Sequence, residues 1–376
     1  MKRFLILTRN FPPVVSGGAR RPFLIAKGLE ALGASVRVVA PQLPKGIEGV
    51  QVPHSAPVED GDGRFLSDKK TPLRDFVRAH FLLPDPDIRW SLKVSRHTNE
   101  LDDFNPDVVL STSPPESIHI AGGKLARQFN AKWIADFRDH WLETPLLSQR
   151  QNIARRNIER IIARHILSKA DVLTAPSEAM LQEALAYAPH ARRLLLPQPA
   201  PTPSNDNPGT LAKDNIGTVV ILHTGSFSLS HGPRAIEPVL EFFQTAHKTD
   251  PRLELHLAGR LTENEARAAA MVSGVTINGV ISMEEAWAAQ RQADILLLVA
   301  APGTNITPGK LSEYEVSGKP IVALGGSTWA HDVNQSEEPL SRILRLAHAK
   351  TPYRPIQITK LFTGKDAAQL LLEAIS

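Results

Sequence analysis

Short apolar segments alternate with amphipathic helical patterns along almost the whole chain, which has 376 residues. The apolar segments are three to six residues long and rich in valine and isoleucine, as buried parallel strands are. In the first half they occupy 4–8, 35–40, 108–111, 132–136 and 171–175. Helical patterns at 20–32 and 117–129 connect some of them, which predicts a parallel sheet with right-handed crossovers.

A second series of the same kind follows a stretch that has no periodicity. Its apolar segments occupy 219–223, 253–258, 275–277, 294–299 and 320–324, with helical patterns at 232–247, 262–271 and 283–292. The intervening stretch, 196–217, is dense in proline, asparagine and glycine, as interdomain linkers are. We therefore predict two doubly wound α/β domains, whose ligands bind at the carboxyl ends of the strands, in the cleft between the domains.

The predicted domain boundaries follow from this pattern. The first domain covers 1–200, the linker 201–217 and the second domain 218–350. A helical segment at 351–376 remains, and we expect it to pack back toward the first domain. A chain of this length suits two domains better than a single core.

Composition excludes several classes of site. The chain has no cysteine, so disulfides, thiolate nucleophiles and cysteine-bound zinc are impossible, and a reducing compartment is the simple interpretation. No apolar run approaches the ~20 residues that span a bilayer. The apolar run near the N-terminus ends at Arg9 and Asn10 with no cleavage site after it, which indicates a buried strand and not a signal peptide. We expect a cytoplasmic protein.

Charge is distributed unevenly between the two halves. Residues 1–200 carry 28 lysines and arginines against 21 acidic residues, whereas 201–376 carry 15 against 18. The segment 150–169 concentrates six of the basic residues together with several isoleucines. Such a helix suits the anionic inner face of a membrane, and it equally suits a core-facing helix with a solvated basic side. The modest net charge of +4 and the absence of a matching motif disfavour nucleic-acid binding.

Residues 55–100 interrupt the first series of segments. This insertion is expected either to shape an acceptor site or to pack as an ordinary surface flap. It contains two Asp-x-Asp pairs, at 60–62 and 85–87, whose spacing resembles a metal-binding motif. Neither pair follows a predicted strand, so we predict no metal site.

A glycine pair follows the first predicted strand. Gly17 and Gly18 precede a helix, so their backbone N–H groups and the helix N-terminus favour an anion. The pattern is not GxGxxG, which argues against an NAD site. Arg20 and Arg21, on the first helical turn, are expected to add positive charge for the same anion.

Functional side chains crowd the end of the fourth predicted strand. Asp136 is followed by Arg138, Asp139 and His140, at the kind of strand end where α/β sites lie. Asp139 and His140 are expected to bind or orient a substrate hydroxyl, or to transfer its proton. We expect Arg138 to pair with Asp136 or Asp139 and to fix its rotamer. The alternative is a structural ion pair at a helix end, with Trp141 in the core.

The strongest pattern of the second half begins at Asn305. Thr307 is a good N-cap and Pro308 a good first helical residue, so we predict a helix whose free N–H groups bind an anion such as a diphosphate. Lys310 adds positive charge, and Glu313, one turn later, can accept two hydrogen bonds from vicinal hydroxyls of a ribose. The alternative is a Lys310–Glu313 surface pair worth about 0.2–0.5 kcal/mol.

Turns after the other strands of this half carry compatible residues. A glycine lets the backbone approach a ligand closely, and a nearby arginine supplies charge for phosphates. The candidates are Gly225 and Ser226 after the first strand, Arg234 near the next helix, Arg260 after the second strand, and Gly279 and Val280 after the third, where backbone groups can contact a base edge.

With these residues the chain resembles the retaining glycosyltransferases of family 4, which have the GT-B fold. The resemblance covers nearly the whole length and rests on 11–21, 136–141, 223–226, 279–280 and 310–324. The last segment, KLSEYEVSGKPIVAL, is the most specific. The resemblance implies two Rossmann-like domains, a nucleotide sugar held mainly by the second, a carbohydrate or lipid-linked acceptor held mainly by the first, and no metal or cofactor.

Carried over by position, the resemblance implies contact with the donor for one set of residues. The set is Glu313 for the ribose, Lys310, Gly309, Pro308 and the backbone at Thr307 for the diphosphate, Val280 for the base, Gly17 and Gly18 for the phosphates, and Asp139 for the transferred sugar.

Two departures from the family pattern affect these expectations. The usual Glu-x7-Glu spacing would place its first glutamate at Asn305, whose amide still contacts sugar hydroxyls but is expected to change donor preference. The usual arginine and lysine after the glycine of the second domain's first strand are missing, and Ser226 and His231 stand nearby. We expect Arg234 or Arg260 to supply that charge.

By resemblance, the reaction moves a sugar to an acceptor hydroxyl with retention, in bacterial glycan or glycoconjugate biosynthesis. In the front-face route the leaving diphosphate helps to deprotonate the acceptor, so the protein supplies positioning and charge stabilisation and no nucleophile. Two alternatives stay open: a nucleotide-sugar 2-epimerase of the same architecture, and a non-catalytic relative that binds nucleotide sugars.

Overall fold

A computed structural model of the chain describes residues 1–54, 83–96, 100–142, 153–202, 217–229, 234–301, 308–349 and 361–376. These residues divide into two compact units. Unit 1 comprises Met1–Pro199 and Phe362–Ser376, and unit 2 comprises Ala200–Leu361. Most of the predicted linker and most of the predicted insertion, including its first Asp-x-Asp pair, lie outside the described residues.

Unit 1 contains a parallel sheet of seven strands in the order β3-β2-β1-β4-β5-β6-β7. The strands are β1 Arg3–Thr8, β2 Ser35–Ala40, β3 Gly49–Gln51, β4 Val108–Ser113, β5 Lys132–Phe137, β6 Val172–Ala175 and β7 Arg192–Leu195. The strand order reverses between β1 and β4, and such switch points are where open α/β sheets bind ligands.

Helices cover both faces of this sheet. They are α1 Gly17–Ala31, α2 Ile88–Val94, α3 Ile118–Gln128, α4 Ile153–Leu167 and α5 Glu178–Leu185. Alternate residues of a strand point to opposite faces. Leu5 and Leu7 therefore pack with α3, α4 and α5, whereas Phe4 and Ile6 pack with α1 on the other face. Burial on both faces explains why the sequence of β1 is a nearly continuous apolar run.

Unit 2 contains a parallel sheet of five strands in the order β10-β9-β8-β11-β12. The strands are β8 Val219–Thr224, β9 Leu253–Ala258, β10 Val275–Gly279, β11 Ile295–Val299 and β12 Ile321–Leu324. The helices are α6 Glu237–Thr249, α7 Glu263–Ala270, α8 Met283–Gln292, α9 Lys310–Ser317, α10 Thr328–Asn334 and α11 Pro339–Ala347. Helix α6 packs on one face of the sheet and α9 on the opposite face.

The last helix, α12 Gly364–Ala374, belongs to unit 1 and packs against α1. A side chain at Gly28 would overlap the carbonyl oxygen of Gly364, so two glycines allow the helices to approach this closely. Thr363 caps α12, and its hydroxyl accepts a hydrogen bond from the Asp366 N–H at 3.3 Å. The C-terminal helix therefore completes the core of the first unit.

The prediction of two parallel α/β sheets with the GT-B architecture is confirmed, and several details differ. The predicted series lacked β3 and β7, because these edge strands are half exposed and so carry no continuous apolar run. Helix α6 begins at Glu237, later than the predicted start at 232, since the backbone at Arg234 instead donates to the Phe227 carbonyl. Among the described helices, none is long and apolar enough to cross a membrane.

Candidate functional site

Asp136 lies at the carboxyl end of β5 and is fully buried. The Arg21 guanidinium donates to both carboxylate oxygens, at 2.9 and 2.7 Å, and the Thr174 hydroxyl donates to one of them at 2.5 Å. Burial alone would raise the pKa of Asp136, but Arg21 and Thr174 outweigh it and hold that pKa below its usual range. The expectation that Arg21 faces an anion is wrong, because its guanidinium is sealed in the core as the partner of Asp136.

Arg138 does not pair with either neighbouring aspartate, and the pairing that we expected is wrong. Its Nε donates to the Ser113 carbonyl at 3.1 Å and its Nη2 to the Pro114 carbonyl at 3.2 Å. The Ser113 carbonyl also accepts from the Arg138 backbone N–H at 3.2 Å, so both the backbone and the side chain of Arg138 are tied to the end of β4. Asp139 lies beside it and is partly exposed.

The start of α1 lies directly against this arginine. A side chain at Gly18 would overlap Nη1 of Arg138 and would come within 2.8 Å of the Asn10 amide nitrogen. Ser16 caps the helix, and its hydroxyl accepts from the Ala19 N–H at 3.2 Å. Gly17 has open space where a side chain would stand. The helix N-terminus, Asn10 and Arg138 therefore converge, an arrangement that suits an anion.

His140 is held by a glutamate that the sequence analysis missed. Glu183 Oε1 accepts from the Leu142 N–H at 2.6 Å and from the Tyr187 hydroxyl at 3.0 Å. His140 Nδ1 lies 2.6 Å from Glu183 Oε2, and a carboxylate only accepts, so Nδ1 carries the proton. The Nε2 atom lies on a partly exposed ring, where a substrate hydroxyl can reach it. The sequence feature that could have revealed Glu183 is an acidic residue on the apolar face of the helix at 178–185.

In unit 2, the side chain of Lys310 crosses the end of β8. Its Cε atom lies 3.2 Å from the position that a side-chain carbon would occupy at Gly225. Gly225 has a φ of +139°, a conformation that glycine adopts without strain. The absence of a side chain there lets the ammonium group lie over the strand end, where it can meet a phosphate.

Helix α9 begins at Lys310 with Gly309 as its cap, two residues later than predicted. Pro308 and Gly309 form a turn instead, closed by the Leu311 N–H donating to the Pro308 carbonyl at 2.9 Å. The predicted cap Thr307, and Asn305 before it, lie outside the described residues. The helix ends as predicted at Gly318, which has a φ of +71°.

Glu313 is buried one turn into α9 and rests on a polar network that the sequence analysis also missed. Its Oε2 lies 3.4 Å from Gln290 Nε2 and 3.9 Å from Lys310 Nζ. Gln290 also donates to the Thr224 hydroxyl at 3.0 Å, and the Tyr314 hydroxyl accepts from the Thr224 N–H at 2.9 Å. These contacts orient the carboxylate and join α8, α9 and β8.

Three glycines end neighbouring strands at the same edge of this sheet. The Gly225 N–H donates to the Ala258 carbonyl and the Gly259 N–H to the Gly279 carbonyl, both at 2.8 Å. A side chain at Gly259 would overlap the carbonyl of Gly225. Val280 follows and is half exposed. The edge from β8 to β10 spans two strand spacings, about 9–10 Å, which is comparable to the length of a nucleoside. Ser226 and Arg260 flank these turns and are partly exposed.

Arg234 lies on the other face of the sheet, the one that α6 covers. It lines a largely apolar cavity of about 690 Å³ together with Phe242, Val299, Gly325 and Ser327. Burial lowers the pKa of its guanidinium. The described residues that line this cavity do not include Lys310, so Arg234 and Lys310 approach the sheet edge from opposite faces.

His223 lies at the end of β8 and is a structural residue. Its ring stacks on Phe227 with the centroids 4.6 Å apart, and its Nδ1 lies 3.0 Å from the Leu297 carbonyl. Burial lowers the pKa of His223 to about 4, against the hydrogen bond to Leu297, and the nearby charges of Lys310 and Arg234 lower it further. A neutral imidazole therefore ties β8 to β11 beneath the candidate phosphate site.

Comparison with known families identifies the type of domain in the first half of the chain. Residues 16–198 match a family model described as a glycosyl transferase 4-like domain. No curated protein sequence matches the chain significantly.

Several solved structures are similar over the whole chain. A Listeria monocytogenes protein assigned as a UDP-N-acetylglucosamine 2-epimerase has a TM-score of 0.59 and 14% identity, covering 100% of this chain and 96% of that one. WaaG, a glycosyltransferase involved in lipopolysaccharide biosynthesis, has a TM-score of 0.54 and 15% identity, covering 99% and 90%. HepE from Anabaena, in complex with UDP-glucose, has a TM-score of 0.54 and 12% identity, covering 100% and 94%.

At these identities the likeness to solved structures shows the fold alone, while the family match identifies a domain. The chain therefore has the GT-B fold, carries a glycosyl transferase 4-like domain at residues 16–198, and resembles the GT-B glycosyltransferases of family 4.

Proposed function

We propose that this protein transfers a sugar from a nucleotide sugar to an acceptor hydroxyl, with retention, in bacterial glycan or glycoconjugate biosynthesis. The bond between the anomeric carbon and the diphosphate breaks, and a bond from that carbon to the acceptor oxygen forms. The hydroxyl proton passes to the leaving diphosphate. The acceptor is a carbohydrate or a lipid-linked saccharide.

The observation that carries this proposal is the placement of Lys310. Its side chain lies over Gly225, and its ammonium group is 3.9 Å from the Glu313 carboxylate. A diphosphate at this edge meets an ammonium group and the N-terminus of α9, which both stabilise negative charge that grows as the sugar leaves. Glu313, oriented by Gln290, accepts hydrogen bonds from the ribose hydroxyls. A ligand with both a diphosphate and a ribose uses all of these groups, and a nucleotide sugar is such a ligand.

The remaining donor contacts extend along the same edge. Gly279 and Val280 meet the base two strands from the phosphate position, and Ser226 and Arg260 flank the path between them. Other predicted contacts complete the set: Pro308, Gly309 and Thr307 for the diphosphate, Asn305 for the sugar hydroxyls, and Arg234 for phosphate charge from the other face.

In unit 1, Asp139 and the His140 Nε2 atom bind hydroxyls of the transferred sugar or the acceptor, and Glu183 keeps the imidazole in the required tautomer. Arg138, Gly17 and Gly18 bind the donor phosphates. If this assignment is correct, His140→Ala lowers kcat, and Glu183→Gln lowers it less while shifting its pH profile. Equal kcat values in both variants and wild type would contradict it.

We further propose that no divalent metal is needed, because Lys310 and the start of α9 supply the positive charge that a metal otherwise provides. Turnover is expected to survive an excess of EDTA. Loss of turnover with EDTA and its return with added Mg²⁺ or Mn²⁺ would overturn this part.

The first test is calorimetric titration with UDP, GDP, CMP and dTDP, using wild type, Glu313→Ala and the control Glu284→Ala. Glu284 is an exposed acid of the same unit, at the start of α8. We expect one nucleotide to bind, the Glu313 variant to lose that binding, and the control to keep it. Failure of all four nucleotides to bind wild type would remove the basis for the proposal.

The second test follows the matching nucleotide sugars by NMR, with and without candidate acceptors. Appearance of a glycoside with the donor's anomeric configuration supports retaining transfer. Conversion of the donor sugar with no acceptor present supports the 2-epimerase alternative, and a donor that binds but stays intact supports the non-catalytic alternative. The similarity to the Listeria epimerase makes the acceptor-free control necessary.

A further inference from the structure

Helix α4 presents three isoleucines to solvent. Ile153, Ile158 and Ile161 are 79%, 48% and 67% exposed. Elsewhere among the described residues, no helix exposes more than one large apolar side chain. Single exposed apolar residues are ordinary on protein surfaces, but several on one helix mark an interaction surface.

The opposite face of α4 is already used by the protein core. Ala163 and Leu167 are fully buried against unit 1. Glu159, the only acid of the helix, is buried as well and accepts a hydrogen bond from Arg155 at 2.7 Å. The exposed isoleucines are therefore not left over from the core contact, and they form a second apolar surface.

The charges on this outward face all have one sign. Arg160 and Arg164 are exposed between and beside the isoleucines, and no ion pair with either is found among the described residues. With 3.6 residues per turn, these two arginines and the three isoleucines lie within about 160° of the helix circumference. We call this set of five residues the outward face of α4.

We propose that the outward face of α4 docks the protein on a bilayer that contains anionic lipids. The isoleucines insert into the boundary between headgroups and acyl chains, and the arginines meet lipid phosphates at the level of the headgroups. A nucleic acid offers no place for three isoleucines, and a face without any acid suits an anionic surface better than a second copy of the same basic unit. Residues 1–200 carry more basic than acidic side chains, which favours the same surface.

The position of α4 gives this docking a consequence for the site. A helix that connects parallel strands begins at the carboxyl edge of the sheet and returns to the other edge. Helix α4 connects β5 to β6, so Ile153 at its start lies toward the edge that carries Asp139 and His140. Docking through this face keeps that edge close to the membrane, where lipid-linked acceptors reside.

The test is sedimentation of the full chain with vesicles of phosphatidylcholine alone and of phosphatidylcholine mixed with phosphatidylglycerol. We expect binding to the mixed vesicles only, weakening as salt is raised. Ile158→Ser with Ile161→Ser is expected to weaken it about tenfold or more, and Arg160→Gln with Arg164→Gln about 25-fold, from about fivefold for each arginine. No nucleotide or acceptor is needed, so the result is independent of the proposed activity.

Matched controls separate docking from general effects of charge or hydrophobicity. Met271→Ser removes another exposed apolar side chain, and Lys248→Gln with Arg267→Gln removes two exposed charges, all in unit 2. These variants are expected to bind as wild type does. Circular dichroism checks that every variant keeps its helices.

Three outcomes overturn the proposal. The first is equal binding to both vesicle types, and the second is wild-type affinity in both α4 variants. The third is a wild-type dimer in solution that the isoleucine substitutions convert to a monomer while vesicle binding stays unchanged, which would assign this face to a second copy of the chain.

Discussion

Each unit of the molecule holds an acid–base pair at the carboxyl edge of its sheet, and the two pairs differ in how completely they are satisfied. In unit 1, Arg21 and Asp136 lie 2.7 Å apart, and both side chains are 0% exposed. In unit 2, Lys310 and Glu313 lie 3.9 Å apart, and their side chains are 32% and 5% exposed. The first pair is sealed, while the second opens toward solvent at the lysine.

This difference separates a structural pair from a pair that we propose binds the donor. Asp136 receives short hydrogen bonds from Arg21 and Thr174, and Arg21 also donates to the Pro197 carbonyl, so both groups are saturated by the protein. The Lys310 side chain is 32% exposed, and an ammonium group has three donors with which it can meet an anion. A charge that is fully buried with its partner is closed to a ligand, whereas a partly exposed cation above a glycine is accessible to one.

The largest predicted effect concerns the sealed pair. Arg21→Met leaves Asp136 charged and buried without its partner, so the free energy of unfolding is expected to fall by about 3–5 kcal/mol, measured by urea denaturation. As a control, Arg3→Met breaks the more exposed pair with Asp107 and is expected to change little. Adding Asp136→Leu to Arg21→Met is expected to recover much of the loss. If the two single variants unfold alike, the pair is not structural.

The next effect concerns the open pair. Lys310→Met is expected to weaken binding of a nucleoside diphosphate about 10–100-fold, because a charge-assisted hydrogen bond to phosphate is lost. Stability is expected to change little, since the lysine is partly exposed and its ion pair with Glu313 is long, at 3.9 Å. Calorimetry with the diphosphate and with the corresponding nucleoside measures this. Equal weakening for both ligands would show that Lys310 does not contact phosphate.

Buried histidines in both units are expected to make stability depend on pH in the same direction. Burial lowers the pKa of His119 in unit 1 to about 3 and that of His223 in unit 2 to about 4, from 6.5. Both folded-state pKa values are depressed, so their stabilisation is full above pH 6.5 and is lost as pH falls below it, by up to about 1.4 kcal/mol per pH unit for each histidine. Urea denaturation between pH 7 and pH 5 measures the slope, which His119→Phe is expected to reduce.

The same histidines respond differently to a ligand. A bound diphosphate near Lys310 offsets the positive charge that helps to depress the pKa of His223, so that pKa is expected to rise on binding. His119 lies in the other unit and pairs with the Ser111 hydroxyl at 2.8 Å, so its pKa is expected to stay constant. NMR titration of the two imidazoles checks this, and a shift in both or in neither would count against a phosphate at Lys310.

The smallest effect concerns the glycine below the lysine. Gly225→Ala places a carbon 3.2 Å from Lys310 Cε at a φ of +139°, so affinity for the diphosphate is expected to fall severalfold, with a stability loss of about 1–2 kcal/mol. Gly217→Ala is the matched control, because Gly217 also has a positive φ but nothing within 4 Å. Both variants are expected to lose stability, and only the first to lose affinity. Unchanged affinity in the first would contradict the close approach of Lys310.

Much of the fold could be predicted from local patterns. The continuous apolar runs of β1 and β11 and the helical patterns between strands predicted parallel sheets, and Gly318 marked the end of α9. The edge strands were missed because exposed residues break their apolar runs, as in β7, where Arg192, Arg193 and Leu195 are exposed. The start of α9 was misplaced because Thr307 and Pro308 are favourable at a helix start, whereas the structure has a turn at Pro308 and Gly309 before the helix.

The charged residues of the candidate site were predictable from the sequence, but the residues that hydrogen-bond to them were not. Lys310 and Glu313 are three residues apart, so helix geometry alone places them on one face. Glu183 beside His140 and Gln290 beside Glu313 are contacts between distant parts of the chain, which no local spacing encodes. Arg21 was assigned to an anion because its sequence neighbours are glycines, although its side chain turns into the core and meets Asp136.

The sequence by itself determined the class of fold, and it predicted which strand ends and which residues of α9 form the candidate site. These features depend on periodicity and on spacings within one or two helical turns, which backbone geometry translates directly into position. Only the tertiary structure decided that Arg21 is sealed while Lys310 is open, and that α4 turns its isoleucines outward. Burial is decided by what packs against a side chain, and that depends on the whole fold.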